Sequence, residues 1–323
     1  MIRFDLRQKL GPVQYKHFYT AYQKEVLEKS YLFYYPNKKT GASFKGDLKS
    51  RIEKLGNSHT RFKIDFSKFK AIATPILGGQ FSLARLVMAS PEEVYQLSKL
   101  KITSNEGFHD DFIAQLGKVF QYSSLTDLLQ QRFRTIKCEV CYYCNRNFIT
   151  NFIDLHKKGS KGKRVSFQLD HFYPKSRHPH LAFTMNNFIP SCAYCNATLK
   201  RDREMTSIPP SHPDFDFHEQ FKFSHSDEDI LLSPYSGPYP DYRRTFQLKA
   251  IYKEHKGVLA DLRRKMQAYP KSWQTELAKY PRIYKPEIIA DLFRTQIHEE
   301  EFDKAPLSKL LKDLGDSLGI NDD

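Results

Sequence analysis

Four of the five cysteines in this 323-residue chain are spaced as metal ligands. They form two C-x-x-C pairs, Cys141 with Cys144 and Cys192 with Cys195, separated by 47 residues. A tetrahedral zinc ion holds each thiolate at roughly 2.3 Å, so one ion that binds both pairs clamps two distant segments together. The spacing therefore predicts a structural Zn²⁺ site in the middle of the chain.

The fifth cysteine leaves an alternative ligand set open. Cys138 and Cys141 have the same spacing as Cys141 and Cys144. We prefer the second pair because Asn145 continues a knuckle-like turn after it, as Asn196 follows the other C-x-x-C pair. Cys138 is then expected to be a buried free thiol.

Between the two pairs lies an Asp-His dipeptide whose chemistry suits hydrolysis. Asp170 and His171 end an alternating run over 165–170 that predicts a half-buried strand. Neighbouring strand residues point to opposite faces, and Pro174 forces a loop soon afterwards. Distortion at the strand end lets Asp170 reach a cation while His171 addresses a water molecule. A neutral imidazole, with an ordinary pKa near 6.5, accepts a proton from water at physiological pH.

The elements around this dipeptide are predicted from the same segment. Residues 173–185 are rich in Pro, His and basic residues, and we expect them to wrap over the surface. Residues 187–190 are expected to return as a second strand, and 193–200 to begin a helix. The predicted order is strand, loop, strand, helix.

This arrangement resembles the HNH family of metal-dependent nucleases, whose ββα-metal core is often braced by a C-x-x-C pair on each side. The resemblance implies that His171 is the general base, that Asp170 and Asn196 are ligands of a catalytic cation, and that Asn187 orders the loop and the base. One position departs from the family pattern. The usual Lys three residues after the final ligand is Leu199 here, and Lys200 follows it.

The cation implied by the resemblance is held by oxygen atoms only. A carboxylate and an amide oxygen leave a hard cation most of its waters and open positions for phosphate oxygens. Mg²⁺ fits this set, and Mn²⁺ is the expected substitute.

The charge of the chain predicts a polyanionic partner. The net charge is +14, and residues 132–205 hold 14 Lys and Arg against 5 Asp and Glu. Such an excess of positive charge favours binding to nucleic acid, because binding releases the counterions condensed on the phosphates. A Gly-containing basic turn over 157–164 is a candidate backbone clamp, although a merely solvated turn stays open as an alternative. The predicted nucleic-acid contacts are Lys157, Lys158, Lys161, Lys163, Arg164, Lys175, Arg177 and Lys200.

The flanking segments are predicted to be mostly helical. Ser90 as N-cap, followed by Pro91 and two acids, is a strong helix start. We therefore expect an α+β protein with three parts: a mostly helical N-terminal module (1–137), a small zinc-braced ββα-metal HNH core (138–208) and a mostly helical C-terminal module (209–323). In the last part, Asp214, Asp216 and His218 suggest a second metal site, but a solvated polar loop is the preferred interpretation.

The expected location is the cytoplasm. No segment approaches the roughly 20 apolar residues of a membrane span. Four cysteines placed for zinc favour a reducing compartment over a disulfide scaffold.

The leading functional hypothesis is a metal-dependent HNH endonuclease that hydrolyses phosphodiester bonds in DNA. The alternatives are a zinc-stabilised nucleic-acid-binding adaptor without catalysis and an HNH nuclease that cleaves RNA. The stretch 248–256 is also similar to HNH proteins of Septu-type and some retron antiphage operons. That resemblance implies a role in prokaryotic antiphage defence and a regulatory ATPase partner.

Overall fold

The computed structural model describes residues 1–31, 34–36, 43–45, 48–77, 82–119, 126–153, 163–234, 236–280 and 286–321, which form an α+β fold. The helices are α1 (Leu6–Leu10), α2 (Pro12–Tyr31), α3 (Leu48–Gly56), α4 (His59–Phe62), α5 (Phe66–Leu77), α6 (Ser82–Val87), α7 (Pro91–Ser98), α8 (Asp110–Val119), α9 (Thr126–Phe133), α10 (Phe217–Gln220), α11 (Pro240–Phe246), α12 (Leu248–Lys253), α13 (Lys256–Ala268), α14 (Lys271–Ala278), α15 (Pro286–Phe293) and α16 (Ser308–Ser317). The strands are β1 (Tyr34–Pro36), β2 (Ser43–Lys45), β3 (Asn151–Ile153), β4 (Lys163–Val165), β5 (Gln168–His171), β6 (Phe188–Ser191), β7 (Lys222–His225) and β8 (Ile230–Ser233). No helix in the described part of the chain has the length and apolar composition needed to cross a membrane.

Within the described ranges, the strands pair as antiparallel hairpins of consecutive strands. The central hairpin joins β5 to β6, with Asp170 opposite Ile189 and His171 opposite Phe188. A π-helix, Tyr194–Lys200, follows β6. The strand, loop, strand and helix predicted from the sequence are therefore present in that order.

The loop between β5 and β6 packs into the protein, contrary to the expectation that it wraps over the surface. Phe183 is almost fully buried, and its carbonyl accepts a hydrogen bond from the Tyr22 hydroxyl (2.6 Å). The Thr184 hydroxyl donates to the Leu86 carbonyl (3.0 Å), and the Asn186 amide donates to the Ala89 carbonyl (2.8 Å). The N-terminal helices thus satisfy the polar groups of this loop, which makes its burial possible.

Contacts cross both predicted domain boundaries. The Ile2 amide donates to the Tyr142 carbonyl (3.2 Å), and the Phe4 amide donates to the Pro210 carbonyl (2.8 Å). Buried hydrophobic residues from all three predicted modules belong to one core cluster. The boundaries after residues 137 and 208 stay predictions.

Asn145 joins the centre of the chain to its C-terminal helix. It has a left-handed backbone (φ 52°), which Asn tolerates better than most residues, and its side chain is fully buried. Its Nδ2 donates to the Phe302 carbonyl (2.6 Å), and its Oδ1 accepts from the Lys309 amide (3.1 Å) at the start of α16. The turn after Cys144 therefore also fixes the position of α16.

Helix α7, against which the β5–β6 loop packs, begins with the predicted cap. The Ser90 hydroxyl accepts from the Glu93 amide (3.2 Å), and the Glu93 carboxylate accepts from the Ser90 amide (3.0 Å). We expect Ser90→Ala to lower the free energy of unfolding by about 1 kcal/mol, because one backbone N–H loses its partner. Thr103→Ala is the matched control, since Thr103 precedes a helical turn without capping it through its side chain. Chemical denaturation measures both; equal losses would contradict the capping role.

Candidate functional site

The two C-x-x-C pairs converge in a buried cluster. The sulfur atoms of Cys141, Cys144, Cys192 and Cys195 all lie within 4.8 Å of one another. A tetrahedral ion with ~2.3 Å bonds places its sulfur ligands about 3.8 Å apart, so the four residues fit a zinc ion. Cys138 is buried and does not belong to this cluster among the described residues. The structure therefore brings together the four cysteines that the sequence analysis preferred as ligands.

Backbone hydrogen bonds shape each half of the cluster as a tight turn. The Arg146 amide donates to the Cys144 sulfur (3.4 Å), and the Cys195 amide donates to the Cys192 sulfur (3.4 Å). Such donors stabilise negative charge on sulfur. Hydrogen bonding from Cys141 and the other thiols lowers the pKa of Cys192, whereas burial raises the pKa of Cys141. A bound metal replaces the thiol protons, so its affinity depends on pH.

Asp170 is paired with Lys200. The Lys200 ammonium lies 3.0 Å from Oδ2 of Asp170, and both side chains are buried. The same ammonium donates to the His171 carbonyl (2.7 Å), and the Tyr143 hydroxyl donates to Oδ2 of Asp170 (2.5 Å). Burial raises the pKa of Asp170, while Lys200 and Tyr143 act in the opposite direction. Asp170 therefore has a cationic partner from the chain itself.

Lys200 was predicted to contact phosphate, and its burial contradicts that prediction. Lys200 is the last residue of the π-helix and follows Asn196 by four positions. A π-helix has i→i+5 hydrogen bonds, as between the Arg201 amide and the Asn196 carbonyl (2.7 Å), so its turn holds more than four residues. This places Lys200 on nearly the same face as Asn196, pointing at β5, and turns Leu199 into the core.

The side chain of Asn196 is hydrogen-bonded to Gln168 rather than to Asp170. Its Nδ2 donates to Oε1 of Gln168 (3.0 Å), which lies two residues before Asp170 on the same face of β5. Residues two apart on a strand are separated by about 7 Å. In this structure each of the two predicted cation ligands is therefore bonded to another side chain of the protein, and their joint role as ligands stays a prediction.

One hydrogen bond fixes the tautomer of the His171 ring. Its Nε2 lies 3.1 Å from the Ala182 carbonyl, which can only accept a hydrogen bond. The proton of the neutral ring is thus on Nε2, and the lone pair is on Nδ1. Burial lowers the pKa of His171 to about 3, which keeps the imidazole neutral at physiological pH. A neutral ring is the form that can accept a proton, and a pKa far below 7 makes it a weaker base than an unperturbed histidine.

Asn187 holds the loop that carries the Ala182 carbonyl. Its Oδ1 accepts from the Tyr173 amide (2.9 Å), and its Nδ2 donates to the carbonyls of Tyr173 (3.1 Å) and Leu181 (3.2 Å). The side chain is fully buried. Asn187 thereby positions His171 indirectly, through the segment that contacts the ring.

The predicted nucleic-acid contacts are only partly described. Lys157, Lys158 and Lys161 lie outside the described residues. Lys163 and Arg164 belong to β4, which pairs with β3. Lys175 and Arg177 are exposed in the loop after His171, and the Arg177 guanidinium lies 3.7 Å from the Glu204 carboxylate.

Sequence reasoning missed two residues of this site. Tyr143 lies between the cysteines of the first pair, and its ring stacks on Phe246 of α11 (centroids 4.3 Å apart) while its hydroxyl bonds Asp170. Gln168, the partner of Asn196, precedes Asp170 by two residues, so strand alternation placed it on the correct face. For Tyr143, the only signal was its position inside the C-x-x-C pair.

Comparison with protein-family models, with curated proteins and with solved structures gave no significant match to this chain.

Proposed function

We propose that this protein is an HNH-type endonuclease that hydrolyses phosphodiester bonds in DNA. The observation that carries the proposal is the β5–β6 hairpin followed by a π-helix and a cluster of four cysteines, with Asp170 and His171 at the end of β5. The positive charge around this segment favours a polyanionic substrate. Antiphage defence and an ATPase partner stay predictions from sequence resemblance.

In the proposed reaction, His171 takes the proton of the attacking water through Nδ1. The Ala182 carbonyl fixes the tautomer and ring orientation, and Asn187 fixes the loop that provides this carbonyl. Lys200 bonds both Asp170 and the His171 carbonyl, so it holds the end of β5 in place.

The proposal includes a divalent cation, Mg²⁺ or Mn²⁺, which would polarise phosphate and stabilise the leaving oxygen if Asp170 and Asn196 held it. The residues do not fit this ion as they are arranged. Asp170 is bound by Lys200 and Tyr143, and Asn196 is bonded to Gln168. The role of the ion is therefore tested by comparing cleavage in the presence of Mg²⁺, Mn²⁺ or EDTA.

Replacing His171 is the test of catalysis. We expect His171→Ala to lower the rate of plasmid cleavage by at least about a hundredfold, because the general base is lost. His180→Ala is the matched control: His180 lies in the loop that follows β5, is buried, and has its Nε2 3.1 Å from a backbone carbonyl, that of Leu97. Cleavage of DNA and RNA is followed side by side with Mg²⁺, Mn²⁺ or EDTA, together with zinc content.

If His171→Ala cleaves as fast as the wild type, the proposed role of this residue is wrong. Preferential cleavage of RNA would replace the DNA assignment.

A second function, a nucleic-acid-binding adaptor without catalysis, is favoured by the pairing of Asp170 with Lys200. A buried carboxylate already neutralised by an ammonium has little affinity for a further cation. This function is supported if the wild type binds DNA with a steep salt dependence but cleaves neither nucleic acid under any metal condition. Metal-dependent cleavage by the wild type excludes it.

A further inference from the structure

A second group of metal-ligating side chains lies outside the site described above. Nε2 of His218 is 2.8 Å from Oε2 of Glu299 and 3.8 Å from Oε1 of Glu219. One ligand atom from each of the three residues lies within 4.8 Å of the others. With bonds of ~2.0–2.2 Å, a zinc ion separates neighbouring ligand atoms by about 3–3.5 Å, so one ion can reach all three after small side-chain movements.

The surroundings of this group favour a cation. It borders a cleft of about 820 Å³ whose lining includes seven Asp or Glu and four Lys or Arg residues. This excess of acids occurs on a protein whose net charge is +14. The cleft therefore has a locally negative lining on a protein that is positively charged overall.

His218 is held firmly in place. The Lys309 ammonium donates to its backbone carbonyl (2.8 Å), and Lys309 is itself paired with Asp313 (2.7 Å). The Phe302 ring contacts the imidazole edge-on (centroids 6.1 Å apart). Nδ1 of His218 is buried and has no hydrogen-bond partner among the described residues, so the ring directs its polar contacts toward the two glutamates through Nε2. A neutral His218 ring donates its Nε2 proton to the Glu299 carboxylate, so a metal ion at Nε2 would take the place of that proton.

We propose that His218, Glu219 and Glu299 form a second metal site that binds a transition-metal dication, with Zn²⁺ preferred over Mg²⁺ and Ca²⁺. One imidazole nitrogen with two carboxylates is a donor set that zinc accepts, whereas Mg²⁺ and Ca²⁺ take oxygen ligands. The three residues leave the remaining coordination position to water or a ligand in the cleft. The site is separate from the proposed nuclease chemistry.

Titration of Zn²⁺ into protein that already carries one ion at the four cysteines tests the proposal. We expect calorimetry to show one further ion per chain, and His218→Gln and Glu299→Gln to raise its Kd at least about tenfold. Glu219→Gln is expected to weaken binding too, and this residue has a 61% exposed side chain, so its variant remains informative if His218→Gln fails to fold. Elemental analysis checks that each variant keeps the first ion.

Glu300→Gln is the matched control, because Glu300 adjoins Glu299, lines the same cleft and carries the same charge. It should bind zinc as the wild type does. The proposal is overturned if the wild type takes up no ion beyond the first, or if Glu300→Gln weakens binding as much as Glu299→Gln. Equal affinity for Mg²⁺ and Zn²⁺ would overturn the stated metal preference.

Discussion

Cys195→Ala is expected to release the structural metal and unfold the centre of the molecule. Ligation of a structural zinc contributes on the order of 10 kcal/mol to folding, which equals the whole stability of a typical domain. The clamp joins segments 47 residues apart, and the Asn145 turn beside it anchors α16. Thermal unfolding by circular dichroism and metal content by elemental analysis measure the effect.

Cys138→Ala is the matched control for this experiment. Cys138 is equally buried, but it lies outside the cluster, and burial raises its pKa to about 12. The variant should keep its metal and lose only about 1–2 kcal/mol from the small cavity. Loss of metal from Cys138→Ala would show that this residue belongs to the ligand set. Retention of metal by Cys195→Ala would refute the four-cysteine site.

Lys200→Met is expected to destabilise the protein by about 3–5 kcal/mol, because it leaves the buried Asp170 without its cationic partner. Methionine has similar length, so little of the loss comes from a cavity. Denaturant titration at pH 7 measures the change. The loss should be partly recovered in Asp170→Asn combined with Lys200→Met, since an amide can still accept the hydrogen bond from Tyr143.

The pH dependence of Lys200→Met provides an independent check. Burial already raises the pKa of Asp170, and removal of Lys200 takes away the largest opposing influence. A raised pKa in the folded state means that the folded protein binds more protons than the unfolded chain. The deficit should therefore be fully present at neutral pH and shrink as the pH falls toward about 4. A deficit that is constant with pH would contradict an ionised, Lys200-paired Asp170.

Lys200→Met also tests whether Lys200 occupies the position of the proposed catalytic cation. If Lys200 occupies the place of the metal, the variant should bind Mn²⁺ more tightly than the wild type does. If the pair only holds β5 in place, metal binding is unchanged and cleavage falls with stability.

Local sequence patterns predicted those features that depend on a few neighbouring residues. Two C-x-x-C pairs identified the cysteine cluster, because a tetrahedral ion fixes the number and spacing of its ligands. Alternation before Asp170 predicted a strand over 165–170, of which 168–170 lie in β5 and Val165 lies in β4, and Ser90 with Glu93 predicted the start of α7. Asn145 marked the turn after the first cysteine pair, but its bonds to α16 join residues more than 150 positions apart.

The chain by itself thus determined the members of the four-cysteine cluster, the α+β class and the position of the Asp-His dipeptide. Only the tertiary structure decided what that dipeptide contacts. Lys200 pairs with Asp170, whereas Asn196, about one helical turn earlier, is bonded to Gln168, and the N-terminal helices bury a loop that its polar composition placed at the surface. Both outcomes depend on partners distant in sequence, because a buried charge or polar loop is tolerated only where such partners satisfy it.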